Sequence, residues 1–124
     1  MKNKYMDFKF NTVNIVEDKE YIAHIVYWCI KEDEEGDKFQ ILAEFYELGA
    51  TFLFSCKISN RFNSRFYNIC NNLCLIQDDG TVDFEILESD CDVICTLSEV
   101  QEGTFFISNM WWLDEEDGYE YERE

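Results

Sequence analysis

The stretch S-N-R-F-N-S-R-F-Y-N-I-C-N-N-L-C-L, residues 59–75, is the one amphipathic helix that the sequence predicts, and it separates two β-rich halves. Its apolar side chains recur at i, i+4, i+7, i+8 and i+11, which places them on one face of a helix with about 3.6 residues per turn. They are Phe62, Phe66, Ile69, Cys70 and Leu73. Ser59 or Asn60 is expected to cap the first turn, because a short side-chain oxygen accepts from a free backbone N–H. The sequence therefore predicts a helix whose apolar face covers a core.

Five other segments have the alternating, β-branched or aromatic pattern of strands, three before the helix and two after it. They span residues 20–30, 38–47, 51–58, 91–98 and 104–112. In the first strand, alternation around His24 predicts that Tyr27 faces the core and Trp28 faces outward, unless a bulge intervenes. The order β-β-β-α-β-β is typical of an OB-fold, a small five-stranded barrel whose second and third strands bind oligonucleotides. The predicted fold is thus mainly β, an OB-like barrel with one helix between strands three and four.

The 124-residue chain is predicted to form one domain with two flanking segments. Residues 1–19 are expected to be an N-terminal arm or an edge strand, and residues 20–113 the OB-like domain. Residues 114–124, D-E-E-D-G-Y-E-Y-E-R-E, are charged without periodicity and are predicted to be a disordered acidic tail. There is no apolar run of membrane-spanning length, and the first residues, M-K-N-K-Y-M-D, lack a hydrophobic signal core, so a cytoplasmic protein is expected.

The formal net charge of −17 is the strongest feature of the composition, and −11 remains without residues 114–124. Such a field repels phosphate at long range and favours basic partners. Residues 57–65 are the exception, with a charge of +3. Their basic residues, Lys57, Arg61 and Arg65, are four apart and are expected to share one side of the helical segment.

Proteins that bind single strands combine cations along the phosphate backbone with aromatic faces on which bases stack. The candidate nucleic-acid-binding residues are Lys57, Arg61, Arg65, Trp28 and Tyr46. The alternative is that the three basic residues only solvate the helix and pair with Glu44 or Glu47. For Trp111 and Trp112 there are also two interpretations: a platform on which bases stack, or the closing residues of the last strand.

The six cysteines lie inside apolar segments and are expected to be reduced, buried thiols. The pairs Cys70-x₃-Cys74 and Cys91-x₃-Cys95 would satisfy a four-thiolate zinc site in number. Their apolar surroundings favour core packing, so no metal and no other cofactor is predicted. The single His24 has no readable nucleophile or acid partner, and no glycine-rich phosphate loop is present, so the protein is expected not to be an enzyme.

Motifs along nearly the whole chain carry a resemblance to a known family. They are F-K-F-N (8–11), E-Y-I-A-H-I (20–25), R-F-Y-N-I-C-N-N-L (65–73) ahead of D-D-G-T-V-D-F-E-I-L (78–87), and E-G-T-F-F-I-S-N-M (102–110). Together with the charged hairpin at 31–37, they resemble small phage-encoded OB-fold single-stranded-DNA-binding proteins. The resemblance implies single-strand binding through the barrel face during replication or recombination, in the host cytoplasm. The sequence departs from the family in its acidic body and in the few basic residues of its first two strands.

The resemblance also implies that the acidic tail recruits replication or recombination enzymes. Its candidate partner-binding residues are Asp114, Glu115, Glu116 and Asp117. A homo-oligomer is expected. The competing hypothesis follows from the charge alone: an acidic phage inhibitor that mimics DNA and blocks a basic host nucleic-acid-binding or defence protein.

Overall fold

The computed structural model describes residues 14–113. In chain order the elements are β1 (Tyr21–Lys31), β2 (Lys38–Phe45), β3 (Ala50–Lys57), α1 (Arg65–Asn72), a 3₁₀ helix (Phe84–Glu88), β4 (Asp92–Gln101) and β5 (Thr104–Trp112). The strands form one antiparallel sheet in the order β3-β2-β1-β4-β5. A mainly β fold with one α-helix between the third and fourth strands is thereby confirmed. Within the described range no hydrogen-bonded ladder joins β3 to β5, so the predicted closure into a barrel stays a prediction.

One face of the sheet, together with α1, encloses the core. Because successive strand residues point to opposite faces, alternate residues of β2 are buried, as its pattern predicts. They are Phe39, Ile41, Ala43 and Phe45, each with no solvent exposure. Burying each large apolar side chain contributes about 1.5–3 kcal/mol, which makes this face the main source of stability.

The helix is shorter than predicted. It spans Arg65–Asn72, and its N-cap is Ser64, whose hydroxyl accepts from the backbone N–H of Tyr67 at 3.0 Å. Ser59 and Asn60 do not cap it, because Asn63 has a left-handed backbone (φ 66°) that interrupts any earlier helical turn. Phe62 therefore precedes the helix and is 79% exposed, so its assignment to the buried stripe was wrong. The other four members of the stripe are buried: Phe66, Ile69, Cys70 and Leu73.

A β-bulge in β1 reverses the faces predicted for its second half. Ile25 pairs with Ala43, but the next pair is Tyr27 with Leu42, so β1 carries one extra residue. One extra residue turns every following side chain to the opposite face. Tyr27 consequently points outward and is 62% exposed. Trp28 turns inward and stacks on Phe84, with ring centroids 5.4 Å apart, so the outward placement predicted for Trp28 was wrong.

The described part of the N-terminal arm lies against β4. The backbone N–H of Asp18 donates to the carbonyl of Leu97 at 3.2 Å, and a carboxylate oxygen of Glu17 accepts from the N–H of Glu99 at 2.7 Å. These contacts cover part of the β4 edge without forming a strand. Residues 1–13 and the predicted acidic tail, 114–124, lie outside the described residues.

Candidate nucleic-acid interface

The three basic residues predicted to share a helix face belong to three different elements. Lys57 ends β3, Arg61 lies in the loop before α1, and Arg65 is the first residue of α1. All three are exposed. The predicted common helical face was wrong, because their four-residue spacing has meaning only within a continuous helix.

The guanidinium of Arg65 contacts the protein itself. Its Nη1 donates to the carbonyl of Ser55 in β3, and its Nη2 donates to the carbonyl of Ile107 in β5 at 3.2 Å. The guanidinium carbon also lies 4.5 Å from the centre of the Phe54 ring. Arg65 thus joins the two edge strands and uses two of its five N–H donors within the protein.

The two predicted aromatic residues do not lie beside Lys57. Trp28 packs against the core side of the sheet, on Phe84. Tyr46 is exposed, as predicted, but it follows the far end of β2, eight positions from Lys38. Its hydroxyl donates to Asp92 at 2.9 Å, and this hydrogen bond raises the pKa of Tyr46. Neither side chain therefore extends the surface around Lys57.

Trp112 closes the last strand onto the helix. Its indole N–H donates to the carbonyl of Leu73 at 2.5 Å, just after α1 ends. Trp112 is half-buried and packs on the core. Of the two readings of Trp112, the structure therefore fits closure rather than a stacking platform.

The sheet assembles a row of lysines that the sequence reading did not identify. The strand registers pair Lys31 of β1 with Lys38 of β2, and Lys38 with Lys57 of β3. Paired residues in a sheet point to the same face, here the face away from the core. We call this set, Lys31, Lys38 and Lys57, the lysine row. Like charges directly opposite one another destabilise a sheet, so the row is costly unless anions balance it.

An aromatic and apolar row runs parallel to the lysine row on the same face. It consists of Tyr27, Leu42 and Leu53, paired across the same three strands. At about 3.3 Å per residue, the four residues from Tyr27 to Lys31 separate the two rows by ~13 Å. A polar row lies between them, in which the Gln40 amide donates to the Ser55 hydroxyl at 3.2 Å.

Acidic side chains border the lysine row. A carboxylate oxygen of Asp33 lies 3.3 Å from Nζ of Lys38. The backbone N–H of Glu35 and the Lys38 ammonium both stabilise the Asp33 carboxylate, which holds the pKa of Asp33 below its usual value. Lys31 and Lys57 form no ion pair with any residue between 14 and 113. Within the described part of the chain, the row therefore has two ammonium groups without an ion pair and one, that of Lys38, paired with Asp33.

Counting the hairpin registers could have revealed the lysine row. A hairpin that closes around residues 32–37 places Lys31 opposite Lys38, and the next hairpin places Lys57 opposite Lys38. The four-residue spacing instead groups Lys57 with Arg61 and Arg65, which follow it along the chain. The exposed Tyr27 was missed because a bulge leaves no clear mark in the hydrophobic pattern.

The cysteines differ in burial. Burial raises the pKa of Cys70 and Cys95 to about 12 and that of Cys56 to about 11. Cys74 and Cys91 are exposed, contrary to the expectation that all the thiols are buried. The helix ends before Cys74, which adopts a left-handed backbone (φ 57°), and Cys91 precedes β4.

Among residues 14–113 no group of three or more histidine, cysteine or acidic side chains is arranged to hold a metal ion. No helix in the same range is long and apolar enough to cross a membrane. The predicted partner-binding residues, Asp114, Glu115, Glu116 and Asp117, lie outside the described residues.

Comparison of the chain with protein-family models, with curated proteins and with solved structures finds no match in any of the three.

Proposed function

We propose that this chain is a non-enzymatic single-stranded-DNA-binding protein with an OB-like barrel, acting in replication or recombination. The sheet order β3-β2-β1-β4-β5 supports this, because it becomes the cyclic order of an OB barrel once β3 and β5 meet. The hydrogen bonds from Arg65 to carbonyls of both edge strands support their approach. The nucleic acid would bind the outer face of β1, β2 and β3.

The lysine row is the observation that carries the proposal. Residues 14–113 contain six basic residues, and three of them lie in register at one end of one face. Successive phosphates of one strand, each contacting one of Lys31, Lys38 and Lys57, would relieve the repulsion within the row. The exposed ring of Tyr27, ~13 Å along the strand, provides a surface for base stacking. Cations and an aromatic face on the same three strands are the combination that single-strand binding requires.

The acidic body weakens this binding without excluding it. Charges in solvent are screened beyond about 10 Å at 0.1 M salt, so distant carboxylates act weakly on a phosphate held at the lysine row. The neighbouring turn 32–37 lies within that distance of Lys31 and Lys38, and it carries five carboxylates. We therefore expect modest affinity that declines as salt rises.

The proposal is tested by fluorescence anisotropy with a labelled oligo-dT of about 15 nucleotides, near the upper site size of one OB-fold. The wild type is expected to bind at low salt, and the double variant Lys31→Glu/Lys57→Glu is expected not to. Lys19→Glu is the control, because Lys19 pairs with Glu47 at 2.8 Å and lies outside the row. Failure of the wild type to bind at the lowest salt would contradict the proposal.

A second candidate function is DNA mimicry, in which the chain blocks a basic host nucleic-acid-binding or defence protein. The supporting observation is the segment 78–92, which carries seven carboxylates and no basic residue. If the chain mimics DNA, it should not bind oligo-dT, and it should co-purify with a basic nucleic-acid-binding protein. Reversing the charges of 78–92 would then abolish that association, whereas reversing Lys31 and Lys57 would not.

A further inference from the structure

Half of β1 has an edge with which no residue of the range 14–113 pairs, and we call it the open edge. β1 pairs with β2 from Ala23 to Lys31, but it pairs with β4 only from Tyr21 to His24. Beyond the pair His24–Asp92, the chain preceding β4 turns away from β1. Among the described residues, the backbone of Ile25–Ile30 forms no hydrogen bond to segment 84–91. Such an edge presents backbone donors and acceptors to which a further strand can add.

A cleft of about 570 Å³ lies along this edge. Residues 24–28 of β1 form one side, and residues 87–90 form the other. Its apolar lining includes Trp28, which stacks on Phe84, and the buried Leu87. The volume is within the range of about 300–1,000 Å³ that is typical of ligand-binding clefts.

The charge around the cleft determines which occupant fits. Glu88 and Asp90 are exposed on its far side. Nucleic acid would be repelled by these carboxylates, and two copies of the chain pairing through this edge would bring like charges together. A segment with basic side chains is complementary to them.

We propose that the open edge of β1 at Ile25–Ile30 binds an extended basic peptide segment of a partner protein, which adds to the sheet as a strand. Main-chain hydrogen bonds provide the affinity in this mode, and alternate side chains provide the specificity. Six residues span ~20 Å. One set of peptide side chains, basic in nature, faces Glu88 and Asp90. The other set is apolar and packs near Val26 and Ile30, which are 47% and 41% exposed.

This site is distinct from the lysine row, although Tyr27 both lines the cleft and lies on the proposed DNA-binding face. Its test uses peptides as probes, with oligo-dT as a competing ligand. The probes are two capped eight-residue peptides, one alternating lysine and valine and one alternating glutamate and valine. Amide chemical shifts and hydrogen exchange are measured on the full ¹⁵N-labelled chain. Exchange protection distinguishes strand addition from general attraction of a cationic peptide to an acidic protein, because only strand addition gives the amides of β1 new acceptors.

The lysine peptide is expected to slow the exchange of amides within Ile25–Ile30, and the glutamate peptide is expected to have no effect. Glu88→Lys/Asp90→Lys should weaken binding by about tenfold or more, a difference of roughly 1.4 kcal/mol. The matched control Glu34→Lys/Glu102→Lys changes the net charge equally at two exposed sites outside the cleft, and should change affinity far less.

Equal losses in the two variants, or no protection of these amides in the wild type, would overturn the proposal. Protection by oligo-dT in place of the peptide would assign the edge to nucleic acid. Concentration-dependent protection without any peptide would assign it to a second copy. The exchange data on the wild type alone decide whether the peptide adds as a strand. The test therefore remains valid even if Glu88→Lys/Asp90→Lys folds poorly.

Discussion

The guanidinium of Arg65 donates to the carbonyl oxygen of Ile107 at 3.2 Å, which ties the start of the helix to the last strand. The same side chain donates to the carbonyl of Ser55 in the opposite edge strand. The residue that the spacing argument assigned to DNA binding thus holds the two edges of the sheet near each other.

Replacing Arg65 by methionine should lower the free energy of unfolding by about 1.5–3 kcal/mol, the range for hydrogen bonds that involve a charged group. Because the residue is exposed, the lower end of this range is expected. Lysine at this position should not restore the loss, since an ammonium lacks the planar fork that reaches both carbonyls. Urea denaturation gives the measurement. Arg61→Met is the matched control and should change stability by less than about 0.5 kcal/mol; equal effects at both positions would argue against the bridge.

The bulge in β1 predicts opposite consequences for two neighbouring aromatic residues. Trp28→Ala should cost about 3 kcal/mol of stability, because it removes the ring stacked on Phe84 from the core. Tyr27→Ala should leave thermal stability nearly unchanged and weaken oligo-dT binding by about 1–3 kcal/mol, the contribution of one stacked base. Thermal melting and anisotropy on both variants check this. A large loss of stability for Tyr27→Ala and none for Trp28→Ala would mean that β1 has no bulge and that Tyr27 faces the core.

A second pair of aromatic residues, Phe62 and Phe66, tests where the helix begins. Phe66 is 8% exposed and Phe62 is 79% exposed. Phe66→Ala should therefore lower the free energy of unfolding by about 3–5 kcal/mol, and Phe62→Ala should have little effect. A large loss at Phe62, measured by urea denaturation, would mean that the helix begins before Ser64.

The order of the elements along the chain and most of the core could be predicted from sequence, because the spacing of apolar residues indicates both the type of element and the face that is buried. In β2 the four alternate residues from Phe39 to Phe45 are buried as predicted. The features that were missed are those that alternation does not encode. They are the bulge before Tyr27, the left-handed Asn63 and the left-handed Cys74.

The candidate site was harder to predict than the core, because it depends on residues distant in sequence. Only the register of two consecutive hairpins places Lys31, Lys38 and Lys57 side by side. Lys57 was identified for its charge, but its neighbours along the chain are not its neighbours across the sheet. The role of Arg65 required knowledge of where β5 lies, which no local pattern provides.

Stability should decline at alkaline pH because of the buried thiols. Burial raises the pKa of Cys95 to about 12 from its usual value of 9.0. Below pH 9 the thiol is protonated in both the folded and the unfolded chain, and its contribution to stability is fully present. Between pH 9 and about 12 the thiol ionises only in the unfolded chain, which lowers the free energy of unfolding. Cys56 and Cys70, with pKa values of about 11 and 12, act in the same direction. Urea midpoints at pH 8 and pH 10 should fall less for Cys95→Val than for the wild type; identical declines would contradict this assignment.

The salt dependence of oligo-dT binding tests the central claim, contact between the lysine row and phosphate, most directly. Each phosphate contact on a single strand contributes about 0.7 to the slope of log affinity against log salt. Replacing Lys31, Lys38 and Lys57 together by glutamine should therefore reduce the magnitude of the slope by ~2, and Lys19→Gln should leave it unchanged. The same slope in the wild type and the triple variant would contradict the claim, because the phosphates would then be bound elsewhere.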